Sequence, residues 1–444
     1  MCKKRVTGGV LLKVNPLVLS ESFLLPMKNT NCMNCRGPHL QRFLDLNDQP
    51  NGNHFPGPDD FAKEPSFPFA MVVCTDCWQV QIEEFPPVEV MFSNHPYITG
   101  INMPVVAHFD RLVADTLRRF RLTKNSLVID IGANDGTLLS KFQSVGMRVL
   151  GVDPGERTGD LARENGITVC ETFWSEETAS AIKRLNLKPD LITATAVFYH
   201  VADIHSFVKG LAEAMHPGSI FLTQCVYLKD VIEKVQFDHF YHEHTMIHAL
   251  APLKRLFADY GLRMLDVEHY DVHGGSFVLW VGREDSPYPT QPSVQRAMDA
   301  EVAAGLQRID TYHAFARRAE QNRDELVALL RQLRAEGKSV YALGAPLKGS
   351  TLLNYCRIGP DLVDLATEVN RFKIGRFTPG THIPIVYEQS LTKQPDYYLV
   401  LSWNFLEFFV EKYAAYLRAG GKFIVPHPNV RVVDAEAIAR KAAL

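Results

Sequence analysis

Residues 240–244 read FYHEH and place a phenol (Tyr241), two imidazoles (His242, His244) and a carboxylate (Glu243) within one short run. Earlier in the chain, VIDIGANDG reads as a strand that turns through glycines into a helix. A proton-accepting cluster together with a glycine-lined ligand turn points to chemistry in which a substrate carbon loses a proton beside a bound cofactor.

The wider run QFDHFYHEH is too polar for a buried strand, because its side chains would be left unsatisfied in a core. It is expected to line a wet pocket or lie on the surface. If extended, Tyr241 and Glu243 would face one way and His242 and His244 the other, a division that a turn would break. H-E-H lacks the H-E-x-x-H zinc spacing, so no catalytic metal is expected here. His200 ends VFYH, directly after a segment that reads as a buried strand, and should point over the same crevice. A lone histidine at such a place is otherwise a structural hydrogen-bonder.

The ligand turn has the form D-x-G-x-N-x-G. Gly132 and Gly136 let backbone approach a ligand, Asp130 can orient the loop, and Asn134 can bond the amino-acid part of a cofactor. Asp153, closing GVDP, is placed to accept from ribose hydroxyls. Asp135 is assigned to solvated surface. Without G-x-G-x-x-G no helix start is tailored to a pyrophosphate, so S-adenosylmethionine fits better than NAD.

Cys32, Cys35, Cys74 and Cys77 form two C-x-x-C pairs that can converge on one tetrahedral Zn2+ at about 2.3 Å per thiolate. Four protein ligands leave no open position, so the zinc is expected to be structural. The Gly- and Pro-rich segment between the pairs needs such a staple. His39 and His54 are assigned to solvent.

These residues need elements to carry them. Strands alternate with helices from SLVIDIG through GSIFLTQCV, which predicts a parallel sheet with both faces covered. A helix is expected over about residues 104–120, and a long amphipathic helix or helix pair over about 292–335, with Val302 among its apolar positions. Strand, glycine turn and helix recur in SVYALGAPLKGSTLLNY, where Lys348 at a helix start could meet an anion such as phosphate. The fold class is therefore α/β: a central Rossmann-like domain (91–288), a small N-terminal zinc-binding domain (30–90), and a second Rossmann-like α/β domain (289–444). Residues 1–29 read as a disordered leader.

The chain has 444 residues, too many for one core, and a net charge of -3 without a basic run, which argues against a nucleic-acid partner. No run approaches the ~20 apolar residues of a membrane span. A small diffusible substrate and a cytoplasmic location are expected.

From Cys32 onward the chain resembles the sugar C-methyltransferase family, in the C-x-x-C pairs, DIGANDGTLL, GVDP, VFYHVAD, QFDHFYHEH, HGGS (273–276), LGAPLKGSTLLNY and PGTHIPI (379–385). The resemblance implies a class I methyltransferase domain between a zinc domain and a C-terminal domain, with substrate between the last two. It implies S-adenosylmethionine-dependent methylation of a carbon of a nucleotide-linked deoxy-keto-sugar, as in natural-product biosynthesis. His244 matches the family's proposed base, with Tyr241, Glu243, His200 and, after the zinc module, Tyr97 in the catalytic pocket. Lys348 and His273 fall on the substrate side. The alternative is O- or N-methylation with the same cofactor. Four positions depart from the family pattern: Ala196, the stretch TGINMPVV, Val278 and Ala342. They are expected to make the pocket less polar.

Overall fold

A computed structural model describes residues 27–86 and 97–436. Most of the leader expected over 1–29, up to residue 26, lies outside the described residues, as does part of the link between the zinc module and the first long helix.

The N-terminal module is an antiparallel sheet of β1 (Leu40–Pro50), β2 (Ser66–Cys74) and β3 (Val80–Ile82). Its fourth strand, β9 (Met246–Ile247), comes from far along the chain and pairs with Val80 and Gln81. The central sheet contains β4 (Leu127–Ile131), β5 (Arg148–Val152), β6 (Val169–Cys170), β7 (Leu191–Thr195), β8 (Ile220–Val226), β10 (Leu262–Tyr270) and β11 (Ser276–Arg283). Their order is β10-β11-β8-β7-β4-β5-β6, parallel except where β11 pairs with β8 and β10. β4 and β8 are buried at every residue, as strands covered on both faces must be. Strand order reverses between β4 and β7, which opens a crevice at their carboxyl ends.

The C-terminal domain repeats this logic with β12 (Val340–Leu343), β13 (Leu365–Glu368), β14 (Ile385–Tyr387), β15 (Tyr397–Val400), β16 (Lys422–Val425) and β17 (Arg431–Val433), in the order β14-β13-β12-β15-β16-β17. Its own reversal lies between β12 and β15, where Lys348 and Trp403 follow the strand ends.

The helix expected near 104–120 spans Met103–Arg119, with Asn102 accepting from the Val105 N–H at its start and Phe109, Leu112 and Val113 buried. The long amphipathic pattern is a helix pair, Pro292–Ala303 and Ile309–Ala335, with Gly305 at φ +73 in the break. Val302 does not join the apolar face and is 58% exposed, because it sits in the last turn before the break. No helix among the described residues is long and apolar enough to cross a membrane.

Phe240 pins the FYHEH run to this framework. Its ring is buried edge-on to Phe43 of β1 (6.2 Å) and Phe315 of the long helix (5.8 Å). Burying such a side chain contributes about 1.5–3 kcal/mol.

Candidate active site

At the end of β4 the backbone turns with Gly132 at φ +73 and Gly136 at φ +77. A Cβ on Gly132 would fall 2.3 Å from Val197 Cγ2, so only glycine fits this close approach. Asp130 is buried beneath the turn and accepts from Thr193 Oγ1 at 2.5 Å. Desolvation pushes its carboxyl up to about 7, and the Asp153 charge adds to the rise. The Thr193 bond ties β4 to β7 directly below the turn. Asp153 accepts from Asn134 N (2.8 Å), Gly155 N (2.8 Å) and Thr158 Oγ1 (3.1 Å). A carboxylate has about four acceptor positions, so room remains for about one ribose hydroxyl rather than two. The glycine cradle and this acid suit an adenosyl group.

Asn134 also has a structural task. Its Oδ1 accepts from Thr99 N at 2.9 Å and its Nδ2 donates to the Tyr97 carbonyl at 3.2 Å, so the amide clamps residues 97–99 over the turn. Asp135 is not solvated surface. It is 5% exposed, and accepts from Gly100 N at 2.8 Å and Thr137 Oγ1 at 2.6 Å. Strap and helix start both need a carboxylate there. Tyr97 is 40% exposed as a whole residue, yet desolvation pushes its hydroxyl up to about 12, ahead of the Asp135 charge. The Tyr97, Tyr199 and Tyr241 hydroxyls lie near enough that ionising Tyr97 would raise the other two further.

Residues 241–244 form a turn closed by His244 N donating to the Tyr241 carbonyl at 2.8 Å. The strand-like division therefore fails. The Tyr241 and His244 rings lie together, centroids 3.7 Å apart, while His242 packs edge-on against Phe69 (4.6 Å) and Phe67 (5.9 Å) of the zinc module. Glu243 accepts from Asn53 Nδ2. Of the two expected settings, the surface is ruled out: His239, His242, Glu243 and His244 are all buried.

His244, 1% exposed, donates its Nδ1–H to the His239 carbonyl at 2.7 Å. Its Nε2 is buried without a hydrogen-bond partner among the described residues. The ring is thus the tautomer with a lone pair on Nε2. Desolvation carries its pKa well below the ordinary histidine value, helped by His200 and His239, so it is neutral at pH 7. The Tyr199 and His200 rings stand 4.4 and 5.0 Å away.

Facing this cluster, Lys348 enters on the helix Leu347–Tyr355 with its Nζ buried, 3.7 Å from the centre of the Trp403 ring and without a hydrogen-bond partner among the described residues. Desolvation lowers it to about 8, against the pull of Asp238. Asp238 is fully buried, accepts from Trp403 Nε1 at 2.6 Å, and lies 3.3 Å from His427 Nε2. Burial alone would raise its carboxyl, but His427, Lys348 and His239 hold it below the usual value. His273 adopts φ +55, and desolvation takes its imidazole down to about 3, with His108 and Lys348 adding to the fall. Beside it, a Cβ on Gly274 would lie 2.5 Å from Trp403, which explains the need for glycine in HGGS.

Val278 and Ala342 do not thin the pocket's polarity as expected. Each is buried within a strand, Val278 in β11 and Ala342 in β12. Ala196, at φ +56 just past β7, lies at the crevice.

The four cysteines meet as the spacing predicts. Cys32 and Cys77 sulfurs are 3.6 Å apart, Cys35 and Cys74 3.5 Å, and all four lie within 4.8 Å of one another. Tetrahedral zinc with about 2.3 Å bonds requires sulfurs spaced about this way. Among themselves the thiols cannot share protons evenly. Cys32 falls to about 6 through its bond with Cys77, whereas burial and then the Cys32 charge push Cys74 up to about 12. A dication removes this conflict by binding all four as thiolates. Asn34 donates toward Cys77 Sγ at 3.8 Å and to the Pro252 carbonyl at 3.0 Å, tying the cage to the central domain. His39 and His54 stay exposed as expected.

Sequence reasoning passed over Tyr199, Asp238, His239, Trp403, His427 and Asn53. Asp238 and His239 stand inside QFDHFYHEH and were legible there as polar neighbours. Trp403, His427 and Asn53 carry no local signal, since each reaches the site from another domain.

Known proteins share this organisation. A zinc binding domain model matches residues 32–92, a methyltransferase domain model 106–267, and a C-methyltransferase C-terminal domain model 271–428. The chain is 33% identical over 386 residues to the C-methyltransferase NovU of Streptomyces niveus, covering 87% of this chain and 92% of that protein. A shorter match, 31% identical over 144 residues, covers 31% of this chain and 55% of a ubiquinone biosynthesis O-methyltransferase of Methylobacterium nodulans. Among solved structures, magnesium protoporphyrin IX methyltransferase from Synechocystis PCC 6803 aligns over 41% of this chain and 80% of its own, at 17% identity and a TM-score of 0.30.

Proposed function

The chain belongs to the C-methyltransferase family, and on that premise we propose that it methylates a carbon adjacent to a ketone in a nucleotide-linked deoxy-keto-sugar. It is an S-adenosylmethionine-dependent methyltransferase. The observation that supports the finer reading is the His244 imidazole, whose Nδ1–H is held by the His239 carbonyl while Nε2 is left to accept a proton. The division into a zinc module (30–90), a cofactor domain (91–288) and a substrate-contributing C-terminal domain (289–444) is part of the proposal.

S-adenosylmethionine supplies an electrophilic methyl group on a positively charged sulfur. Gly132, Gly136 and the Asp153 carboxylate seat it, with Asp130 and Asn134 holding the loop. His244 Nε2 takes the proton from the carbon beside the ketone, and the C–H electron pair passes to the carbonyl oxygen. His200 and Tyr241 donate to that oxygen or to neighbouring hydroxyls, and Tyr97 closes the pocket from the strap. Glu243 fixes the turn that carries both Tyr241 and His244. S-adenosylmethionine held there would give its methyl group to the enolate carbon, its sulfur keeping the electrons of the S–CH3 bond. Lys348 and His273 hold the distal part of the substrate, where a buried ammonium suits an anion.

The test is incubation of purified enzyme with methyl-labelled cofactor and a panel of nucleoside-diphosphate-linked deoxy-keto-sugars. Label on the carbon next to the ketone, with solvent deuterium entering that carbon when cofactor is omitted, is expected. Label on oxygen or nitrogen without deuterium uptake would replace the reading by O- or N-methylation.

A further inference from the structure

We propose that Asn53 of the zinc module is a positioning residue for methyl transfer, acting on the catalytic turn through the Glu243 carboxylate. The inference rests on the reading above, in which Glu243 belongs to the catalytic turn.

The segment 242–247 lies against the zinc module along its length. His242 packs on Phe67 and Phe69 of β2, Ile82 N donates to the Thr245 carbonyl at 3.0 Å, and Met246–Ile247 becomes a strand of that module's sheet. Gln79 Nε2 adds a bond of 3.0 Å to the Ile247 carbonyl. Glu243 is the one carboxylate in this segment, and it is buried. A buried carboxylate has no donor of its own and must be met by one, or its desolvation is uncompensated. Asn53 Nδ2 meets it.

Asn53 is itself fixed. It lies just past β1, and its N–H donates to Asn51 Oδ1 at 3.0 Å. The neighbouring Gly52 abuts the C-terminal domain, where an added Cβ would fall 3.2 Å from Leu347 Cγ. All three domains therefore meet around Glu243, in a small cleft that Asn51, Tyr241, His242 and Ser350 also line. The same four-residue turn sets the Tyr241 and His244 rings side by side, joined by the His244 N to Tyr241 carbonyl bond. A swing of Glu243 must move both, and displacements of about 1 Å at a reacting centre can cost about a hundredfold in rate.

Full-length, zinc-loaded enzyme is prepared as wild type, Asn53→Ala, Glu243→Ala and the double variant. Turnover is read with the keto-sugar panel and methyl-labelled cofactor, and backbone hydrogen exchange over residues 241–245 is followed by mass spectrometry. Asn53→Ala is expected to lower kcat about tenfold or more, to speed exchange in that segment, and to leave zinc content and cofactor Kd unchanged. In the Glu243→Ala background the Asn53 change should add less than about twofold, because coupled neighbours are not additive. An equal loss in both backgrounds, or wild-type turnover and exchange in Asn53→Ala, overturns the inference. Undiminished turnover in Glu243→Ala instead removes Glu243 from the site and takes the inference with it. Should the alanine variant precipitate, Asn53→Ser goes through the same comparison.

Discussion

His244 and His239 lie on one loop, and the Nδ1–H of the first donates to the carbonyl of the second at 2.7 Å. That bond selects the tautomer, so the basic lone pair stands on Nε2. An amide side chain cannot take up a proton in this way. His244→Asn is expected to lower methyl transfer about 10²–10⁴-fold and to abolish deuterium entry at the substrate carbon, with cofactor Kd unchanged by calorimetry. Retained turnover removes His244 as the base.

Asp153 joins the two turns that border the cofactor crevice through Asn134 N and Gly155 N. Asp153→Ala should weaken S-adenosylmethionine binding by about 1.5–3 kcal/mol, measured as the calorimetric dissociation constant. An unchanged value takes Asp153 out of the cofactor site.

Trp403 supplies the Asp238 carboxylate with a bond across two domains. Trp403→Phe keeps most of the ring but removes the donor, leaving a buried acceptor short of a partner. A stability loss of about 1–3 kcal/mol is expected in urea unfolding, with no loss of zinc. An unaltered midpoint would mean that the Asp238 charge is already satisfied by its other neighbours.

Zinc bound by the four cysteines would hold the turn between Cys74 and Cys77 that leads directly into β3, and β3 carries β9. Chelation should therefore lower Tm and suppress turnover together, while calorimetric binding of S-adenosylmethionine by the central sheet survives. Full turnover in metal-stripped protein would detach the module from the site.

Acid should destabilise the protein well above the carboxylate range. Desolvation lowers His108, His242, His248 and His427 to about 4, His239 and His273 to about 3, and His244 well below the ordinary 6.5. As pH falls below 6.5 the unfolded chain takes up protons that the folded chain refuses, so stability present above 6.5 is lost progressively toward about 3–4. Each such group contributes about 1.4 kcal/mol per pH unit within that window. Asp130, raised to about 7, opposes this, since the folded state keeps its proton where the unfolded state has lost it. Glu301, raised by burial, and His269, raised by its bond to Asp230, oppose it too, yet three groups against seven lowered imidazoles leave the net sign unchanged. The urea midpoint should fall steadily between pH 7 and pH 5.5; a flat midpoint would mean that the folded protein protonates these rings.

The elements that bear the site were largely legible one segment at a time. LVIDI and IFLTQCV are apolar enough to be strands buried on both faces, and helices with clear apolar faces separate them. The C-x-x-C pairs announced a metal cage because two short turns suffice to aim four sulfurs. FYHEH announced acid–base chemistry by residue type, but its geometry was hidden. Alternation assumes an extended chain, and here a turn places Tyr241 beside His244 and gives His242 and Glu243 to the zinc module.

Sequence by itself determined the residue types at the site, the glycines that permit the cofactor turn, and the order of strands and helices, because each follows from local periodicity or local sterics. Tertiary structure alone decided which nitrogen of His244 keeps its lone pair, that Asn134 and Asp135 hold the strap under Tyr97, and that Asn53, Trp403 and His427 reach the loop that carries residues 238–244. Those partners are up to about 190 residues apart in the chain. Hydrogen bonds at such separations exist only once the sheets have packed, and no periodicity in the chain records them.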